Sequence, residues 1–446
     1  MGSGCENLIA EVNPSSVTQL PILTALDARL STLFAVIIHQ RNEIVNTYFY
    51  VSRFAAVFST FSLPFGEKID IIFKNRKRRA FMKEKQSQYR CVLLGLAVGD
   101  AMGHTVDKRT LGEICRDYGP NGLLGYDLVN GYADVTSYTQ LAAFTANGLL
   151  LGLTRGQSKD RLSTLLRYIT VSLKEWGRTQ TFSYPERNYC WLSGVPEIKR
   201  KFCMDTRILD ALSKEPLGSL LSPRYLSDHP GALTMVVPIA MMGEASGLNQ
   251  WELNRLGAEA VAITHGEVNT FLAGAVLTHL LCQLLEKPEV AFAEQVQSTI
   301  SALQLQFEEA YGTKLTLWAR LEEALSLAVT PDVGPMEAME TLGCRTAAEV
   351  LAGAVYAVAT CGRDFDIAMI TAVNHSGRSA AVGAITGSLL GAILEDEALP
   401  DFYLESLEPT QTLLELADDM SYGFSNMVGK SLFDMDWDRK YLSIGR

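Results

Sequence analysis

From Tyr89 onward, alanine, leucine and glycine recur at three- and four-residue spacing. The pattern runs through CVLLGLAVGDAMG, TQLAAFTANGLLLGL, GAEAVAITHG, TFLAGAVLTHLLCQLL, AAEVLAGAVYAVA and AAVGAITGSLLGAI. That is the period of a helix face, and β-branched alternation, the mark of a half-buried strand, is nearly absent. Small residues at helical spacing let helices approach closely. The reading is an all-α fold, a compact multi-helix domain of many buried helices. Trp-Gly, Asp-His-Pro-Gly and Leu-Pro-Asp segments mark its loops. No solenoid period is apparent.

Composition agrees with a globular chain. Apolar residues make up 48% and charged residues 20% of 446 positions, enough for a sizeable core. The formal net charge is -11. An acidic surface does not neutralise phosphates in bulk, so nucleic acid is excluded as a partner. Eight cysteines are scattered without a C-x-x-C pair, which speaks for buried free thiols in a reducing cytoplasm.

The first 81 residues differ from the remainder. An apolar-aromatic stretch leads into a basic cluster, Lys74, Arg76, Lys77, Arg78 and Arg79, read as a solvated linker. Residues 1–81 are expected to be a partly helical appendage, or an over-extended start with Met82 as the true beginning. Residues 82–446 are expected to form one domain. The opening residues lack a signal-peptide pattern. No apolar run looks long enough to span a bilayer, and Arg41 and Glu43 interrupt the best candidate. The expected location is therefore cytoplasmic, away from membranes.

Four ordered segments carry chemistry. The first is Gly99-Asp100-Ala101-Met102-Gly103, closing an apolar helix, with Asp107 a few residues on. The second is TSYTQLAAFTANGLLLG. The third is Ala262-Ile263-Thr264-His265-Gly266. The fourth is AVNHSGRSAAVGAITGSLLGA. Tyr118-Gly119-Pro120, Trp176 and a closing LESLEP…LADDM flank them. Over about residues 89–422 the chain resembles the ADP-ribosylglycohydrolase family, bacterial in type. The family reads Gly-Asp-Ala-x-Gly, Thr/Ser-Asp-Asp-Thr-Gln and AVNH-x-Gly-Asp-[Ser/Thr]-Asp-[Ser/Thr] in the first, second and fourth segments.

The resemblance implies hydrolysis of a glycosidic bond to ADP-ribose by way of two Mg²⁺. Carboxylates suit that hard cation, and a metal pair orients ribose hydroxyls and a water. Helix starts and glycine turns cradle the diphosphate. The implied partner is an ADP-ribose-like small molecule or an ADP-ribosylated protein.

This sequence departs from the family at the metal positions. Thr136 is kept, but Ser137 and Tyr138 stand where the family has two aspartates. In the last block Arg378, Ala380 and Ala381 replace Asp, Asp and a hydroxyl residue. Two divalent ions need several anionic oxygens, and an arginine beside them opposes binding by several kcal/mol at an effective dielectric of about 20. No metal is therefore expected at these positions. An arginine of the family is also missing from the Thr234–Pro238 turn, although Gly231 survives.

Candidate residues follow from these segments. Asp107 is the candidate acid/base, with a solvated surface acid as its ordinary reading. Asp100, Gly103, His104, Gly231, Gly377, Arg378, Ser379 and Gly383 are candidate ligand contacts. Asp100 is read as a local cap, and His104 as a loop histidine. His265 and His375 are read as hydrogen-bonded core histidines. Tyr138 is read as an aromatic plug with its hydroxyl satisfied. Arg378 either pairs with Asp100, Asp107 or Asp134, or grips a diphosphate. Three functions stay open: a pseudoenzyme that keeps the fold and a ligand cleft, a weak or metal-independent hydrolase, and a structural or interaction protein with a closed cleft.

Overall fold

The computed structural model describes residues 65–446 apart from 157, 182–187, 313–314, 395–398, 423–434 and 446, with side chains from Glu84 onward. The chain divides into two compact units, Met1–Lys77 and Arg78–Arg446. The side chains of the basic cluster at 74–79, and Cys5, lie outside the described residues, as does Leu33–Ile38 with Arg41 and Glu43. The seven described cysteines are free thiols.

Among the described residues the architecture is all-α, with only two isolated bridges of β type. The helices that build the centre are α1 (Phe65–His104), α2 (Leu111–Tyr118), α3 (Ser137–Arg155), α4 (Arg161–Thr181), α5 (Gln250–Ala262), α6 (Val268–Glu286), α7 (Ala347–Cys361) and α8 (Ser379–Ile393). A helix apolar on all sides must be buried on all sides. Accordingly every residue of α8, and Ser137–Leu153 of α3, is buried. Helix α6 is long and apolar enough to cross a membrane, contrary to the expectation that no run qualifies. Its most apolar stretch is 78% buried, so its apolar character is spent on the protein core.

Glycine explains how α1 and α8 meet. A Cβ on Gly95 would stand 2.4 Å from the carbonyl oxygen of Gly387, and one on Gly99 would fall closer still to that of Gly383. Gly103 faces Ser379 in the same way. The pairings 95 with 387, 99 with 383 and 103 with 379 run in opposite directions, so the two helices are antiparallel. Backbone contact this close admits no side chain. The C-terminal end of α1 therefore lies against the N-terminal start of α8, and the motif residues of both helices arrive at one place.

Candidate functional site

The site begins with Asp100. One of its oxygens accepts the Thr136 hydroxyl at 2.7 Å. The other accepts the Thr136 and Thr139 backbone N–H groups at 2.8 and 3.1 Å and the Thr139 hydroxyl at 2.7 Å. These donors include N–H groups that the start of a helix leaves without an internal partner. Asp100 thus holds α3 against α1. Burial raises its pKa, and these four bonds offset part of that rise.

At the first metal position of the family, Ser137 accepts the Met204 N–H at 3.0 Å. Its own N–H donates to the Phe202 carbonyl at 2.8 Å. The segment around 202–205 is thereby drawn across the start of α3. Tyr138, 1% exposed, fills the next position. Its ring is buried as expected, but its hydroxyl has no partner among the described residues. Desolvation is the main cause that holds its pKa well above the ordinary value, with the Asp107 charge next.

Asp107 lies in the turn after α1 and is not a solvated surface acid. Its side chain is 4% exposed. Oδ1 accepts the Ala380 N–H at 3.2 Å, and Oδ2 is buried with no hydrogen-bond partner among the described residues. Burial raises its pKa, against the Ala380 bond and the Lys108 and Arg378 charges. His104 closes α1 rather than sitting in a loop. Its ring meets Phe202 edge-on at 4.6 Å, and its Nδ1 is likewise buried without a described partner.

Arg378 stands at the start of α8 and is half-buried. Its backbone N–H donates to the Cys344 carbonyl at 2.8 Å. No ion pair or hydrogen bond of its guanidinium is found among the described residues. Its expected partners are otherwise engaged: Asp100 by the threonines, Asp107 by Ala380, and Asp134 by Arg200. The charge of Arg378 acts on Asp107, Tyr138 and His229 together, which places these groups around one centre.

The glycines divide by role. Gly103 and Gly383 are committed to helix packing, since the space their side chains would need is filled by backbone. Gly377 donates to His375 Nδ1 at 2.9 Å and its own missing side chain abuts Cys344. Ser379 is buried, with its hydroxyl 3.5 Å from the His375 carbonyl. Gly231 donates its N–H to His229 Nδ1 at 3.0 Å.

Sequence reasoning passed over Asp205 and His229. Asp205 Oδ2 lies 3.2 Å from His265 Nε2 and 3.4 Å from His229 Nδ1. Its Oδ1 accepts Arg207 Nε at 2.8 Å. Burial raises the Asp205 pKa, but bonds from His265 and Arg207 outweigh it and leave the carboxyl well below the usual carboxylate range. Burial pushes His229 down to about 3. Spacings of 24 and 36 residues carry no motif, so these three were invisible as a group. The one local signal was His229 before Pro230, an N-cap followed by proline at the first helical position.

The donor chemistry does not fit two Mg²⁺ at the positions where the family holds them. Ser137 is engaged by the backbone, Tyr138 is an aromatic ring, Ala380 and Ala381 are buried methyl groups, and Arg378 is a cation. Of the nearby acids, both oxygens of Asp100 and one of Asp107 are already bonded. That leaves too few anionic oxygens for a pair of hard, octahedral ions.

Residues 82–428 match the family described as ADP-ribosylglycohydrolase. An uncharacterized protein of Archaeoglobus fulgidus is 26% identical over 341 residues, covering 74% of this chain and 95% of that one. A solved structure described as an ADP-ribosylglycohydrolase-related protein complex is 23% identical, covers 76% of this chain and 98% of its own, and superposes with a TM-score of 0.45.

Proposed function

The chain belongs to the ADP-ribosylglycohydrolase family, and from that premise we propose that it is a pseudoenzyme whose centre binds an ADP-ribose-like ligand, free or on a protein, without the two-magnesium site. The observation that carries this reading is the grouping of unsatisfied polar atoms around an arginine. His104 Nδ1, Asp107 Oδ2 and the Tyr138 hydroxyl are buried without a hydrogen-bond partner among the described residues, Asp107 Oδ2 having only Lys108 Nζ at 4.0 Å, and the field of Arg378 reaches the last two. Buried polar groups without partners cost about 1–3 kcal/mol each, so a fold that keeps several together retains them for something they bind. A diphosphate suits them. The guanidinium fork grips two phosphate oxygens, and the tyrosine hydroxyl is a further donor. Burial raises the Asp107 pKa, which lessens its repulsion of a phosphate.

The same raised pKa supports a second reading, slow hydrolysis without metal, with Asp107 as general acid. Calorimetric titration of ADP-ribose into the full chain in excess chelator tests the main reading. We expect binding in the wild type and a loss of about 10–100-fold in Arg378→Gln, the worth of a charge-assisted bond. Equal affinity in both proteins removes Arg378 from the account. Release of free ADP-ribose from an ADP-ribosylated substrate in chelator favours the second reading.

A further inference from the structure

We propose that Asp205, His229 and His265 form a site for one divalent transition-metal ion of the zinc class, distinct from the positions at which the family holds magnesium. The three side chains are buried, and one ligand atom from each lies within 4.8 Å of the others. The two separations from the carboxylate are those of a coordination shell. In a tetrahedral zinc centre with bonds of about 2.0–2.1 Å, neighbouring ligand atoms stand roughly 3.3 Å apart. Here Asp205 Oδ2 is 3.2 Å from His265 Nε2 and 3.4 Å from His229 Nδ1.

The groups behind the ligands hold them in place, as outer partners of a metal site do. Arg207 occupies Asp205 Oδ1 through its Nε at 2.8 Å and its backbone N–H at 3.1 Å, which leaves Oδ2 facing the imidazoles. The Thr264 hydroxyl stands 2.8 Å from His265 Nδ1, and this fixes the ring with Nε2 toward Asp205. His229 carries the most telling contact. Its Nδ1 accepts the Gly231 N–H at 3.0 Å, yet also faces the Asp205 carboxylate at 3.4 Å. A neutral imidazole nitrogen accepts or donates, not both. The one Nδ1 lone pair is taken by the Gly231 N–H, so no proton lies between Nδ1 and the Asp205 carboxylate; a cation taken up there exchanges the Gly231 bond for bonds to both groups.

The donor set selects the ion. One carboxylate and two imidazoles are too few oxygens for Mg²⁺, and imidazole suits zinc and its neighbours. Arg207 and Arg378 stand close by and oppose any cation, so the nitrogen donors must supply most of the affinity. Three protein ligands leave a fourth position open.

The test uses the full chain, stripped with chelator and titrated with Co²⁺ and Zn²⁺. One equivalent of Co²⁺ is expected to give the visible absorption of a tetrahedral site without a thiolate charge-transfer band. Zn²⁺ is expected to raise the melting temperature and Mg²⁺ to leave it unchanged. Asp205→Asn and His229→Gln, checked for folding by circular dichroism, are each expected to weaken Co²⁺ binding by at least about 100-fold, beyond what loss of an outer partner costs. A folded wild type that shows no cobalt spectrum and no zinc shift overturns the proposal. So does a spectrum with a thiolate band, or one that survives both substitutions. If a variant does not fold, the wild-type spectrum alone decides between histidine and cysteine ligation. Binding of ADP-ribose in chelator is read separately, so this site and the ligand centre stand or fall independently.

Discussion

The backbone N–H of Ala380 donates to Oδ1 of Asp107 over 3.2 Å. The resemblance puts an aspartate of the family at the alanine position. Here the surviving acid is tied instead to the main chain at the start of α8, and the neighbouring position carries the Arg378 cation.

That change sets stability against binding at one residue. Arg378 is half-buried and has no anionic partner among the described residues, which costs desolvation without an ion pair to offset it. Arg378→Met keeps the length of the side chain and removes the charge. It is expected to raise unfolding stability by about 1 kcal/mol while weakening ADP-ribose binding by about 10–100-fold. Chemical denaturation in the absence of ligand checks the first half; a variant less stable than the wild type would show that the guanidinium is already paired.

The contact between α1 and α8 makes a prediction that owes nothing to function. Gly383→Ala would place a Cβ 2.3 Å from the carbonyl oxygen of Gly99. Backbone cannot yield as a side chain can, so the helices must separate, at a cost of about 3 kcal/mol or more. Gly112 in α2 has no atom within 4 Å of the same added carbon. Gly112→Ala should instead add up to about 1 kcal/mol, the helix propensity of alanine over glycine. Thermal melts of the two variants should move in opposite directions.

Two core histidines set an acid limit. His279 Nδ1 is 3.2 Å from Asn254 Oδ1 and its Nε2 is 3.1 Å from Gln283 Nε2. His375 Nε2 is 3.0 Å from the Ala372 carbonyl, and its Nδ1 accepts the Gly377 N–H at 2.9 Å. In each ring one nitrogen donates and the other accepts, an arrangement that only the neutral form satisfies. Burial pushes both down to about 4. Below the unfolded value near 6.5, the unfolded chain binds protons that the native chain does not, so stability falls as pH falls through that window toward 4. The loss is about 2 kcal/mol per histidine between pH 7.5 and pH 5. His279→Gln can keep both bonds and does not titrate. Its urea midpoint should fall less than that of the wild type over the same range; equal slopes would mean that His279 protonates freely in the fold.

How much of this was legible in sequence depended on whether a feature is local. The all-α fold was plain, because Gly, Ala and Leu at helical spacing describe helices buried on every side, as α3 and α8 are. The segments at Asp100, Thr136 and Arg378 could be read because each lies near the start or end of a helix, but Asp100 holds the start of α3, 36 residues on, where a local cap was expected. Three things were out of reach. Gly103 and Gly383 read as ligand contacts, but only the antiparallel register shows that their faces are closed by backbone. The orphaned hydroxyl of Tyr138 depends on what surrounds it, not on its neighbours in the chain. Asp205 meets His229 and His265 because the 202–205 segment is drawn over the start of α3, a tertiary event without a signature.

The central claim is that this centre binds an ADP-ribose-like ligand and does so without magnesium. The direct measurement is the melting temperature of the full chain with increasing ADP-ribose, once in chelator and once in excess Mg²⁺. A ligand that binds only the native state must raise it, by an amount equivalent to about 2.7 kcal/mol at a hundredfold excess over Kd. The account predicts the same rise in both conditions and no free product from ADP-ribosylated protein. A rise that appears only with Mg²⁺, or release of ADP-ribose on adding the metal, would contradict it.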